Sequence, residues 1–280
     1  MISDSLKTAL SLMISVPLLW VPGIVAGLAG AADLLIMYYL GLFIAERLLV
    51  IGVIIVPFFL AGMMYLIRTG EKDGRTFVKG ATGYYFRILL PSILIGAAIM
   101  LTIGILAMTL GIAGAGFASE MLGLVSIGTV VPVLFFTFFY DTAAVFEDAR
   151  IFESIRRSVE VVANNLSRVI MFYIVSVVLT MLAGFALIII WTSILYDRLE
   201  PLSRLEPADF AAFSIGDLNS LLGMEGIWIT AVIFCIGAAV LVTFIYAFKC
   251  CFYKNITGGV ARVEVIEGEY DSKGRYYKYT

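Results

Sequence analysis

Six apolar stretches, each about as long as a lipid bilayer is thick, leave this chain little choice of fold. They cover residues 10–30, 48–67, 88–110, 122–140, 169–195 and 227–248. A helix crosses the hydrocarbon core with roughly 20 mostly apolar residues. No water is present there to satisfy backbone N–H and C=O groups, so only α-helices and closed β-barrels can span it. Barrel strands alternate polar and apolar positions over about 10 residues, whereas these runs are longer and apolar all round. The expected fold is an all-α integral membrane protein with six transmembrane helices over residues 1–254. A cytoplasmic tail follows at 255–280.

Charge orients the spans. If all six cross, 16 of the 19 Lys and Arg residues fall on one face. That face takes Lys7, then Arg68, Lys72, Arg75, Lys79 and Arg87, then Arg150, Arg156, Arg157 and Arg168, and finally six residues from Lys249 to Lys278. The other face keeps Arg47, Arg198 and Arg204. Cytoplasmic loops carry the Lys and Arg excess, so both termini are expected in the cytoplasm and the protein in the plasma membrane. The first apolar run lacks a polar cleavage region and reads as a span. Basic residues are not interleaved with aromatics in a stripe, so nucleic acid is not an expected partner. Membrane lipids are, together with a cytoplasmic protein or further copies of the chain.

Between the spans the sequence has its own patterns. Residues 33–47 (DLLIMYYLGLFIAER) are too apolar for a loop; they read as an interfacial helix or re-entrant segment, or else as a longer, tilted first span. Residues 141–165 read as one amphipathic cytoplasmic helix, with Phe152, Ile155, Val159, Val162 and Leu166 at spacings of three and four. Its polar face pairs Glu153 with Arg157 and Arg156 with Glu160. Pro207 marks a short helix in the acidic outer segment. Trp191, Tyr196 and Trp228 are expected in an outer aromatic belt, and Tyr65, Tyr140 and Tyr253 in an inner one. In the tail, alternating Val against Arg and Glu before Asp271–Gly274 predicts a small β-hairpin. Gly23 and Gly27 form a small-xxx-small pair suited to close helix packing.

A weak internal repeat runs through the chain, about 48–110 against 122–195. IIVPFFLAGMMY ends the second span and TVVPVLFFTFFY the fourth, with Pro57 and Pro132 in matching places. DSLKTAL from Asp4 echoes ESIRRSV from Glu153. Transporters are often built from such repeats. The stretch 140–168 resembles a recurring segment of uncharacterised prokaryotic and archaeal multi-pass membrane families. They are related to the membrane domain of some glycerophosphodiester phosphodiesterases. The shared pattern is an aromatic-Asp at the end of a span, Glu147, and Arg156-Arg157-Ser158 on the helix that follows. The PLLWVP of the first span also fits. The resemblance implies an all-helical bundle; the phosphodiesterase catalytic domain is absent.

Candidate functional residues are few. The chain has no histidine, which removes His metal ligands, Ser–His nucleophile pairs and His general bases. No phosphate loop or dinucleotide fingerprint is present. Catalytic, metal-binding and cofactor-binding residues are therefore all expected to be absent, and the protein is expected not to be an enzyme. Ionisable groups near or within spans are the default functional candidates: Asp33, Asp141, Glu147, Arg156 and Arg157. Asp141 also reads as an N-cap of the cytoplasmic helix. Cys250 and Cys251 read as packing residues at the end of the last span. The sequence supports a transporter-like or lipid-handling protein; the alternative is a membrane scaffold that binds a cytoplasmic protein or anionic headgroups through Arg156 and Arg157.

Overall fold

The structure, a computed structural model, describes residues 1–112, 119–204 and 214–258. Its helices are α1 (Ile2–Ser15), α2 (Val21–Leu40), α3 (Leu42–Thr69), α4 (Gly74–Ile112), α5 (Ser119–Thr137), α6 (Tyr140–Phe146), α7 (Ile151–Asn164), α8 (Leu166–Ile194), α9 (Tyr196–Leu199) and α10 (Ile215–Ile256). Short 3₁₀ turns precede α2 (Pro17–Trp20) and follow α9 (Glu200–Arg204). No strand occurs among the described residues. Six segments are long and apolar enough to cross a membrane: Pro17–Leu40, Leu42–Thr69, Gly74–Thr109, Gly123–Phe146, Leu166–Ile194 and Gly216–Ile256. The chain is a multi-pass membrane protein.

Several boundaries differ from expectation, each for a local reason. The first span starts at Pro17. Val16 is extended (φ −130°, ψ 91°), as a residue before proline prefers, and this separates α1 as a helix of its own. Residues 33–47 follow the reading of a first span that runs longer. They continue α2 to Leu40 and open α3 at Leu42, and the break is Gly41 at φ 85°, a backbone conformation natural only to glycine. The expected helix at 141–165 is two helices. Asp148 takes φ 54°, which Asp tolerates better than most side chains, and the chain turns between α6 and α7. The expected hairpin lies in the tail, outside the described residues, as does Pro207.

The spans pack in the order α8, α10, α2, α3, α4, α5, forming an arc. The tightest seam is α2 against α10. A Cβ on Gly23 would stand 2.2 Å from the Ala239 carbonyl oxygen, and one on Gly27 would stand 2.4 Å from that of Cys235. Only glycine lets the two backbones meet so closely. The arc's outermost helices, α5 and α8, meet near one end, where Phe135 stacks on Tyr173 at 5.1 Å and Phe138 leans on both Phe172 and Tyr173. α6 and α7 pack across that same end.

This end carries the basic residues, and the main core lies there. Phe139, Phe172, Phe248, Phe252 and Tyr253 are fully buried together. Tyr253 is thus a core residue, not part of an aromatic belt, and Cys250 and Cys251 are packing residues in the same core. A smaller cluster at the opposite end gathers Leu195, Leu222 and Ile227. There Trp191 donates to Thr230 and Trp228 to Tyr39.

Candidate functional site

The basic end is built from charged groups that meet across long stretches of chain. Asp141 and Lys249 form a buried ion pair: the ammonium donates to both carboxylate oxygens at 2.7 and 2.8 Å, and the side chains are 3% and 4% exposed. The Thr142 backbone N–H donates to the same carboxylate at 2.6 Å. The ammonium lies 4.1 Å from the centre of the Phe138 ring and 5.0 Å from that of Tyr246. Opposite charge and direct hydrogen bonds compensate each partner on the spot, as a buried charge requires. The pair ties α6 to α10.

Two further knots surround it. Glu147 accepts from Arg157 Nε at 2.8 Å and from the Tyr253 hydroxyl at 2.6 Å, joining α7 to α10. Arg68 donates to Asp148 and the Val145 carbonyl, at 2.7 and 2.8 Å, and to the Tyr84 hydroxyl. Tyr84 donates to Asp148, and Arg87 to the Asp148 carbonyl. Burial pushes the Asp148 carboxyl up, but the hydrogen bonds from Arg68 and Tyr84 outweigh it and hold the group below its ordinary range. Its stabilising effect is therefore present above the ordinary carboxylate pKa and is lost as pH falls through the lowered folded value.

A smaller device closes the break between α5 and α6. The Phe139 N–H donates to Ser158 Oγ at 3.0 Å, and that hydroxyl donates to the Phe136 carbonyl at 2.8 Å. One buried serine of α7 thus supplies both groups that the interrupted helix lacks.

Away from these knots, a cleft of about 590 Å³ opens between α2, α3, α4 and α10. Its walls are apolar (Leu34, Met37, Val53, Val56, Leu60 and Phe234), with Gly30 and Gly52 providing room. Three polar side chains reach it: Asp33, Ser92 and Tyr246. Oδ1 of Asp33 is buried and has no hydrogen-bond partner. A groove of about 200 Å³ on the α2–α3 seam touches Asp33 as well. Asp33 lies seven residues before the end of α2, about 10 Å of helix axis inside the span. Ser92 and Tyr246 line the cleft, and the Tyr246 ring centre stands 5.0 Å from the Lys249 ammonium. About 18 Å of helix axis lies between Phe234 and Tyr246.

The five candidates thus fall in four places. Asp141 is buried and is not an N-cap; it sits one residue inside α6, opposite Lys249, because the aromatic end of α5 turns before it. Glu147 and Arg157 come together. Arg156 pairs with Glu160 at 2.8 Å and stays largely in solvent. Asp33 stands apart in the cleft. The face that packs α7 on the bundle is Ser154, Ser158, Val161 and Val162; of the expected stripe, Phe152, Val159 and Leu166 are exposed. Sequence reasoning missed Lys249, Arg68, Tyr84 and Asp148. Lys249 had a signal, being a lone cation inside YAFKCCFY. Among the described residues no group of three Cys, Asp or Glu side chains could hold a metal.

One protein-family model, described as Domain of unknown function (DUF7847), matches residues 1–256. No curated protein and no solved structure matches the chain. These comparisons show no relation to the membrane domain of glycerophosphodiester phosphodiesterases.

Proposed function

We propose that this chain, which belongs to the DUF7847 family of unknown function, holds a membrane amphiphile in the cleft beside Asp33. The protein is lipid-handling or transporter-like, and non-enzymatic. The observation that carries this reading is the pairing of an apolar cleft with a single unsatisfied carboxylate oxygen. Ligand sites are typically apolar cavities of about 300–1,000 Å³ with a few placed polar groups. An ionisable group inside a span marks function by default. A buried carboxylate without a partner costs free energy that a ligand's ammonium or hydroxyl would relieve. The amphiphile would set its donor on Asp33 and its chain along Val53, Val56 and Phe234. Tyr246, beside the Lys249 ammonium, lines the same cleft.

By the positive-inside rule this basic end is cytoplasmic, in the plasma membrane, with the N-terminus on that side. Asp141, Glu147, Asp148 and their cationic partners bind one another, which supports a structural use for them, and the lack of histidine removes imidazole as a general base. The scaffold alternative draws on the exposure of Arg156.

Native mass spectrometry of the protein extracted in mild detergent tests the reading. The wild type retains a small amphiphile carrying an ammonium or hydroxyl group. Asp33→Asn and Gly52→Leu each lower its occupancy at least tenfold, the first by removing the acceptor charge and the second by filling the cleft. Gly96→Leu, whose site has open space around it, leaves occupancy intact. An empty wild-type cleft with a stoichiometric protein partner would favour the scaffold instead.

A further inference from the structure

Three helices at the basic end present the same face in the same register. In α1, Ser5, Ala9 and Met13 are buried while Leu10 and Ile14 are exposed, and Lys7 follows Leu6. In α7, Ser154, Ser158 and Val162 are buried while Val159 and Phe152 are exposed, and Arg156 follows Ile155. In the first turns of α4, Phe77 and Ala81 are buried while Val78 and Phe86 are exposed, and Lys79 follows Val78. At about 100° per residue, each apolar strip begins beside the packed face and each cation stands about 200° from the buried residue two places before it.

We infer that these three faces form a collar that binds anionic phospholipids of the adjoining leaflet, with Lys7, Lys79 and Arg156 on the phosphates and the apolar strips on the acyl chains. The strips are continuous with the membrane surface of the bundle: on α4 the exposed face runs on from Phe86 to Leu90 and Ile93, and α7 leads through Leu166 to Ile170. An apolar strip edged by basic residues at the end of a span is how a helix seats in a headgroup layer. The charge favours an acidic occupant. Neither Lys7 nor Lys79 takes part in the ion pairs of the described residues, though the Lys7 charge reaches Asp4 one turn before it, and Arg156, though paired with Glu160, keeps 81% of its side chain exposed. A protein partner would have to match three separate helices, whereas a leaflet meets all three at once. The inference does not depend on the Asp33 cleft.

The test reconstitutes the full chain in vesicles of phosphatidylcholine mixed with phosphatidylglycerol, extracts it in polymer-bounded discs, and measures which lipid is retained after stepwise delipidation. The wild type retains phosphatidylglycerol preferentially. A juxtamembrane cation is worth roughly a fivefold preference, so K7Q/K79Q/R156Q is expected to lose on the order of a hundredfold. K7R/K79R/R156K keeps the preference, and so does Asp33→Asn. The control Lys72→Gln removes an exposed charge in the turn before α4, off the strips, and leaves the preference unchanged. Equal loss in that control, or a wild type without preference, overturns the inference. So does a triple variant whose sole change is a lost dimer, which would make a second copy the occupant. Should the triple variant not fold, the three single variants decide, each expected to lose roughly fivefold.

Discussion

At the scale of single residues, the buried pair of Asp141 and Lys249 is the contact most exposed to mutation. Removing one partner of a buried pair strands the other, at about 3–5 kcal/mol, whereas replacing both with apolar groups of similar volume is often neutral. Lys249→Met alone should therefore destabilise the protein by about that much, and Asp141→Leu together with Lys249→Met should recover most of the loss. Thermal unfolding of the single and double variants in one detergent measures the difference. A double variant as unstable as the single would mean that the pair contributes more than mutual neutralisation. Asp141 was visible in the sequence as an acid ending an aromatic run. That it meets Lys249 was not, because the two lie 108 residues apart and nothing local joins them.

At the scale of elements, the α2–α10 seam depends on glycine. A side chain at Gly27 meets the Cys235 carbonyl, which belongs to the backbone and cannot swing aside. Gly27→Val should cost about 1–3 kcal/mol, as overpacking does. Gly96→Ala, where nothing lies within 4 Å, should fall within about 0.5 kcal/mol of wild type. Equilibrium unfolding separates the two; equal effects would mean that helix propensity, and not seam packing, governs both. The pairing of Gly23 with Gly27 was legible as a packing motif, but which helix it receives was not. The element ends at Pro17 and Gly41 escaped the sequence reading, because the apolar pattern runs on through both. The break at Asp148 escaped because the hydrophobic period continues through it while a long-range knot, Arg68 with Tyr84, holds the turn.

At the scale of the whole molecule, the segregation of charge predicts which side each loop faces. In a cysteine-free background, Lys72→Cys should react with an impermeant thiol reagent only from the cytoplasmic side, and Ala212→Cys only from outside. Labelling in the reverse sense would invert the molecule and place the collar of Lys7, Lys79 and Arg156 on the other leaflet.

The sequence by itself determined the class, the six crossings and the basic end, because the cost of burying polar backbone and charge in lipid acts on each segment separately. It also marked Asp33 as an acid in apolar surroundings. Only the tertiary structure decided what each charge meets. It placed Lys249 on Asp141, Tyr253 on Glu147 and Ser158 in the gap of a broken helix, and it left Asp33 facing a cleft with one oxygen unsatisfied. Those outcomes depend on which helices lie side by side, and the lipid-facing pattern of a span says little about that, since its partners and the lipid are equally apolar.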